Sequence, residues 1–130
     1  MGFTSCSYAC PRIVGDLQRI ESALGTDAAK IGFVFISIDP NRDTPEKLKA
    51  FATERKIDLA NWEFLNGTVD GVRDLAVALA FQYQQVEENF AHSNLIAVID
   101  AEGKVVHREE EVGADIQPSV ESIKKLLATP

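Results

Sequence analysis

The chain is sparing with the residue types that most readily disclose a function. Its 130 residues include two cysteines, two histidines, one methionine and one tryptophan. Two cysteines are too few for the disulfide framework of a small secreted domain, and a chain this long can bury a core without such staples. No apolar run is long enough to cross a bilayer, and no secretory signal opens the chain. Repeats, low-complexity stretches and linkers are absent. There is no surplus of positive charge either: 13 basic residues stand against 20 acidic ones, a net charge of −7. That balance argues against nucleic acid and against anionic membrane surfaces, and suits a cation or a basic protein partner.

What is present reads as an ordinary globular composition, 45% hydrophobic and 25% charged, and the length suits one domain over residues 1–130. Ile13, Leu17, Ile20 and Leu24 recur at helical spacing, with Pro11 where a first-turn proline is tolerated and Gly25 where the helix should stop. Residues 31–39 form a nearly unbroken apolar, β-branched run, which predicts a strand buried on both faces. Thr44 then caps a helix with Pro45 at its first position and Leu48, Phe51 and Ala52 inward. A short strand follows at 62–65, and Thr68 caps a helix carrying Val69, Val72, Leu75, Ala76 and Leu79. A second buried strand at 93–100, a turn at 101–104, a return strand at 105–108 and a helix over 116–127 complete the chain. Strands alternate with helices, so the expected class is α/β with a central mixed sheet, and the closing hairpin and helix match the end of a thioredoxin fold. Gly2-Phe3-Thr4 leads into the cysteine motif with no room for a full strand before it, so the usual N-terminal strands are expected to be missing and the chain to start inside a fold.

The chemistry concentrates in Cys6-Ser7-Tyr8-Ala9-Cys10-Pro11, where a strand turns into the first helix. If the first helical turn includes this loop, thiols at i and i+4 share one face, and the helix N-terminus favours thiolate over thiol. Two adjacent thiolates suit Cu(I), zinc or a reversible disulfide, and two cysteines can also simply pack. The spacing has three intervening residues, where thioredoxin-like redox motifs have two. His92 lies in the loop expected before the 93–100 strand, which in a thioredoxin-like sheet faces the cysteine loop, and would complete a three-ligand site. His107, in a return strand beside Arg108 and three glutamates, reads as a surface residue. Asp39 and Asp43 flank a turn whose Pro40, Asn41, Thr44 and Pro45 account for it structurally; the functional alternative sets both carboxylates near a metal mouth as outer or docking groups. Glu109, Glu110 and Glu111 read as a solvated run.

The segments from Gly2 to Pro11, from Ser37 to Pro45, and His92-Ser93 resemble the Sco/SenC family, in that family's order. The segment from Trp62 to Gly67 and the turn from Asp100 to Gly103 are similar to its intervening strand and final hairpin. The likeness covers essentially the whole chain. It implies a thioredoxin-like fold and one copper ion, Cu(I) or Cu(II), held by Cys6, Cys10 and His92. The implied role is a metallochaperone for the binuclear copper centre of cytochrome c oxidase, with that enzyme's copper-bearing subunit or another copper chaperone as partner. It further implies a monomer at the periplasmic face of a bacterial inner membrane, or facing the mitochondrial intermembrane space, tethered by an anchor that this chain lacks. Two positions depart from the family pattern: Ser7 replaces the usual proline after the first cysteine, and Ala91 replaces the aspartate often found before the histidine, which could orient the imidazole. The alternative function is a thiol–disulfide oxidoreductase acting on the cysteines of an oxidase subunit through Cys6 and Cys10. A peroxidase of the peroxiredoxin type ranks last, because it wants threonine three residues before its cysteine and Phe3 stands there.

Overall fold

The computed structural model describes residues 1–5, 9–87 and 89–128, with the side chains of all but residues 9 and 10. Helix α1 (Ala9–Leu24) buries Ile13, Ile20 and Leu24 at the predicted spacing, with Leu17 half-buried. Gly25 ends it with φ of 58°, a left-handed value that costs glycine little, and a 3-10 helix (Gly25–Lys30) follows that periodicity alone does not disclose. Strand β1 (Phe33–Ile36) pairs in parallel with β2 (Trp62–Leu65).

Helix α2 (Pro45–Glu54) begins as its sequence dictates, the Thr44 side chain accepting from Lys47 N at 3.2 Å, and buries Leu48, Phe51 and Ala52. Helix α3 (Val69–Ala78) is capped in the same way by Thr68, which accepts from Gly71 N at 3.0 Å. Strands β3 (Tyr83–Val86) and β4 (Asn89–His92) form an antiparallel hairpin, as do β5 (Ile96–Ile99) and β6 (Val105–Glu109), and helix α4 (Gln117–Ala128) closes the order. The strand content is therefore mixed, distributed among three pairs in the described residues. Between β1 and β5 lies a cleft of about 210 Å³ with Met1 at its edge. Gly2 makes a single parallel bridge to Ser37 just beyond β1, donating to Ile36 O at 3.0 Å and accepting from Ile38 N at 2.8 Å.

Two apolar clusters result. The larger joins α1, α2, α4, β1, β2 and β5 around a run of stacked rings, Phe33 on Trp62 at 4.8 Å and Phe35 on Phe51 at 5.7 Å. The smaller gathers Phe3, Ile38, Val72, Ala76, Phe81 and Leu95. β1 is buried on one face only, contrary to the expectation of two: Phe33 and Phe35 face the larger cluster, while Val34 is 48% exposed. The smaller cluster covers the Ile38 end of the other face and stops short of Val34.

Candidate metal centre

The smaller cluster sits where the chemistry was expected. Phe3, three residues before Cys6, is 2% exposed. Its ring lies 5.2 Å from Phe90 and 5.8 Å, edge-on, from His92. Phe81 also packs on the imidazole, stacked at 5.8 Å. Aromatic pairs at these separations contribute about 0.5–1.5 kcal/mol each beyond their burial. They fix the imidazole against the stretch that leads into the cysteines. His92 is thus the last residue of β4, paired with Tyr83, and half-buried, rather than a loop residue outside the core. The sequence offered no sign of this hairpin. Its strands are largely polar, and its turn places Glu87 at φ of 56° where glycine or asparagine would normally announce a tight turn.

The hydrogen bond at the imidazole decides its tautomer. His92 Nδ1 lies 2.7 Å from the carbonyl oxygen of Ser93, which can only accept, so in the neutral imidazole the proton is assigned to Nδ1 and the lone pair to Nε2. A backbone carbonyl therefore does the orienting that an aspartate at position 91 would do. Ser93 is itself held in place, its N–H donating to Gln82 O at 2.8 Å and its Oγ accepting from Gln82 N at 3.0 Å.

A second device anchors the approach to Cys6. The Asp43 carboxylate is fully buried. It accepts from Thr4 N at 3.1 Å, from the Thr4 hydroxyl, and from the Ser37 hydroxyl at 2.6 Å. Ser37 Oγ in turn accepts from Asp39 N at 3.0 Å, and Asn66 Nδ2 donates to the Asp43 carbonyl. Asp43 is thereby a clamp on the residue two before Cys6, not a carboxylate presented to a partner. Asp39, also buried, holds Arg42 Nε at 2.5 Å. The structural reading of the 39–45 turn wins at both positions. Sequence reasoning missed Thr4, Ser37 and Phe81; a hydroxyl two residues before a cysteine motif, opposite a buried aspartate, was the available signal.

Cys6 and the side chain of Cys10 fall outside the described residues, as does Ser7. Of Cys10 the structure gives the backbone: it is the second residue of α1, whose first turn carries no acidic side chain to oppose a thiolate. His107 is half-buried in β6 opposite Val98, its Nε2 buried and without a hydrogen-bond partner among the described residues, so the surface reading gives way there. Nothing brings it to the Phe3 cluster. Glu110 and Glu111 are exposed as expected. No helix among the described residues is long and apolar enough to cross a membrane.

A mixed strand–helix fold, with an imidazole packed against Phe3 three residues before the first cysteine, has the layout of a thioredoxin-like protein. The SCO1/SenC family model matches residues 1–128, and the chain belongs to that family. It is 27% identical over 110 residues to the SCO1 protein homolog of Bacillus subtilis, an alignment covering 82% of this chain and 49% of that one. The chain thus spans about half the length of the curated relatives it matches. Its fold superposes on a SCO1/SenC family lipoprotein from Bacillus anthracis with a TM-score of 0.88, at 24% identity, covering 97% of this chain and 77% of the other. It superposes on Bradyrhizobium japonicum ScoI with copper bound with a TM-score of 0.81, at 25% identity, covering 96% and 80%. The thioredoxin-like fold expected from the sequence is therefore the fold observed.

Proposed function

We propose that this chain carries one copper ion as cargo, held by Cys6, Cys10 and His92 Nε2, and delivers it during assembly of the binuclear copper centre of cytochrome c oxidase. The observation that carries the reading is the imidazole. Its tautomer is set by Ser93, its ring is packed on Phe3 and Phe81, and Phe3 is three residues from the first cysteine. Thiolates hold Cu(I) unaided, and the imidazole adds the nitrogen that Cu(II) prefers, so one site serves both oxidation states. Membership of the SCO1/SenC family and the copper bound in the related Bradyrhizobium japonicum protein support the same assignment. The cargo would be handled outside the cytosol, at a bacterial periplasmic face or in the mitochondrial intermembrane space, with the copper-bearing oxidase subunit or another copper chaperone as partner.

X-ray absorption on the reduced, copper-loaded protein tests this. The expected result is one copper per chain with two sulfur scatterers and one nitrogen scatterer. A spectrum lacking sulfur scatterers would remove the cysteines from the site.

A further inference from the structure

Asn66 and Gly67 lie exposed in the irregular stretch between β2 and the Thr68 cap of α3. Asn66 Nδ2 donates to Pro40 O at 3.1 Å and to Asp43 O, so one side-chain amide latches both ends of the 40–43 turn. The carboxylate of the same Asp43 holds Thr4, two residues before Cys6. The glycine after Asn66 answers no demand of the backbone. Its φ lies outside the left-handed region, and a Cβ built on it would meet only Val72 Cγ2 at 3.8 Å, an ordinary contact. What glycine supplies there is an unshielded backbone nitrogen next to a side-chain amide carbon. The Gly67 N–H makes no hydrogen bond among the described residues, so that nitrogen is not tied down. Asparagine is a thermolabile side chain, and a bulky following residue protects it. Asn41, Asn61, Asn89 and Asn94 precede Arg42, Trp62, Phe90 and Leu95; Asn66 alone precedes glycine. The related pair Asp70-Gly71 lies inside α3, where the Gly71 N–H is committed to Thr68 Oγ1 at 3.0 Å.

We infer that Asn66 is a deamidation site whose reaction unlatches the 40–43 turn and loosens the clamp on the approach to Cys6. The Gly67 nitrogen attacks Asn66 Cγ and gives up its proton. The Cγ–Nδ2 bond breaks, ammonia leaves with that proton, and a cyclic imide remains. One water then opens the ring at either carbonyl, giving aspartate or isoaspartate. No electron is transferred, and water is the only co-reactant. Either product replaces a two-donor amide by a carboxylate that can only accept, facing two carbonyl oxygens that also only accept. It also sets a negative charge beside a turn that already buries Asp39 and Asp43. The latch on Asp43 is lost, and with it the support for the carboxylate that holds Thr4. The reaction needs no copper and stands apart from the proposed function.

The test ages the reduced, metal-free full chain at physiological temperature and mildly alkaline pH, and follows its proteolytic peptides by mass spectrometry with isoaspartate labelling. The mass gain of an amide-to-acid exchange should accumulate at Asn66 several-fold faster than at any other asparagine, as a mixture of aspartate and isoaspartate. Gly67→Ala, which the space at that position admits, should slow the reaction several-fold without lowering the urea midpoint. Alkylation of Cys6, localised in the same peptides, should be several-fold faster in the aged chain than in the fresh one. Aged Gly67→Ala should keep the fresh rate, and fresh Asn66→Asp should show the fast one. The aged chain starts from the folded, unaltered protein, so a folding failure in a variant does not decide the outcome. Deamidation at Asn66 no faster than at the other asparagines, or equally fast in Gly67→Ala, would remove the site. A chain converted at Asn66 whose Cys6 is alkylated as slowly as in the fresh protein would overturn the link to the clamp.

Discussion

Replacing Asp43 by alanine should both destabilise the fold and loosen the approach to the first cysteine. The carboxylate is fully buried and accepts from the Thr4 N–H, the Thr4 hydroxyl and the Ser37 hydroxyl. A hydrogen bond to a charged group contributes about 1.5–3 kcal/mol net, and a buried donor left without its acceptor costs about 1–3 kcal/mol. The three bonds share one carboxylate and cannot simply be added. Ser37 is wholly buried, whereas Thr4 is half-buried and can recover a water, so one full penalty and part of a second apply. The expected loss is about 3–4 kcal/mol, which for a chain of this size lowers Tm by roughly 10–15 °C. Asp43→Asn keeps one acceptor and turns an amide toward the donors, so about half that loss is expected. Urea unfolding followed by circular dichroism gives the stability. The rate of Cys6 alkylation in the folded protein gives the local effect, and it should rise in Asp43→Ala even well below the unfolding transition. A loss under about 1 kcal/mol with an unchanged alkylation rate would refute the clamp, since an exposed carboxylate behaves in that way.

Phe3→Ala should cost about 3–4 kcal/mol, the usual range for emptying a buried aromatic position, and should broaden the Cu(II) spectrum because the ring that backs the imidazole is gone; urea titration and electron paramagnetic resonance read the two effects. Protein oxidised to a Cys6–Cys10 disulfide should take up no copper, because metal and disulfide need the same thiolates, and reduction should restore one equivalent. Copper uptake by oxidised protein equal to that of reduced protein would show that the cysteines are not ligands.

The helices were legible in the sequence because their signals are local. Thr44-Pro45 and Thr68 are caps that act within one turn, and the spacing of Ile13, Ile20 and Leu24 marks a buried stripe. The strand at 62–65 and the closing hairpin were legible for the same reason, the latter through the Gly103 turn at φ of 86°. The β3–β4 hairpin was not, because its polar residues are held by a few rings distant in sequence, Phe3 on Phe90 and Phe81 on His92. The exposure of Val34 depends on how far a second layer extends, which a run of apolar letters does not encode. At the site, the type of residue was legible and its support was not. His92 is marked by its place relative to the cysteine motif, while Ser93 O as its orienting acceptor depends on local backbone and ring geometry, and Asp43 as the clamp on Thr4 emerges only when segments 39 residues apart meet.

The most direct test of the central claim is the Cu(II) absorption of His92→Ala against the unaltered protein, with His107→Ala as control. Losing the nitrogen ligand should weaken Cu(II) binding by more than about a hundredfold, beyond the range seen for removing an orienting partner, and should abolish or shift the thiolate-to-copper band. Cu(I) binding, which two thiolates sustain, should fall far less, and disulfide exchange should stay nearly unchanged. His107→Ala should leave the Cu(II) band as it is. A His92→Ala protein whose Cu(II) band and affinity match the unaltered chain would contradict the account and leave a thiol oxidoreductase that meets copper only incidentally.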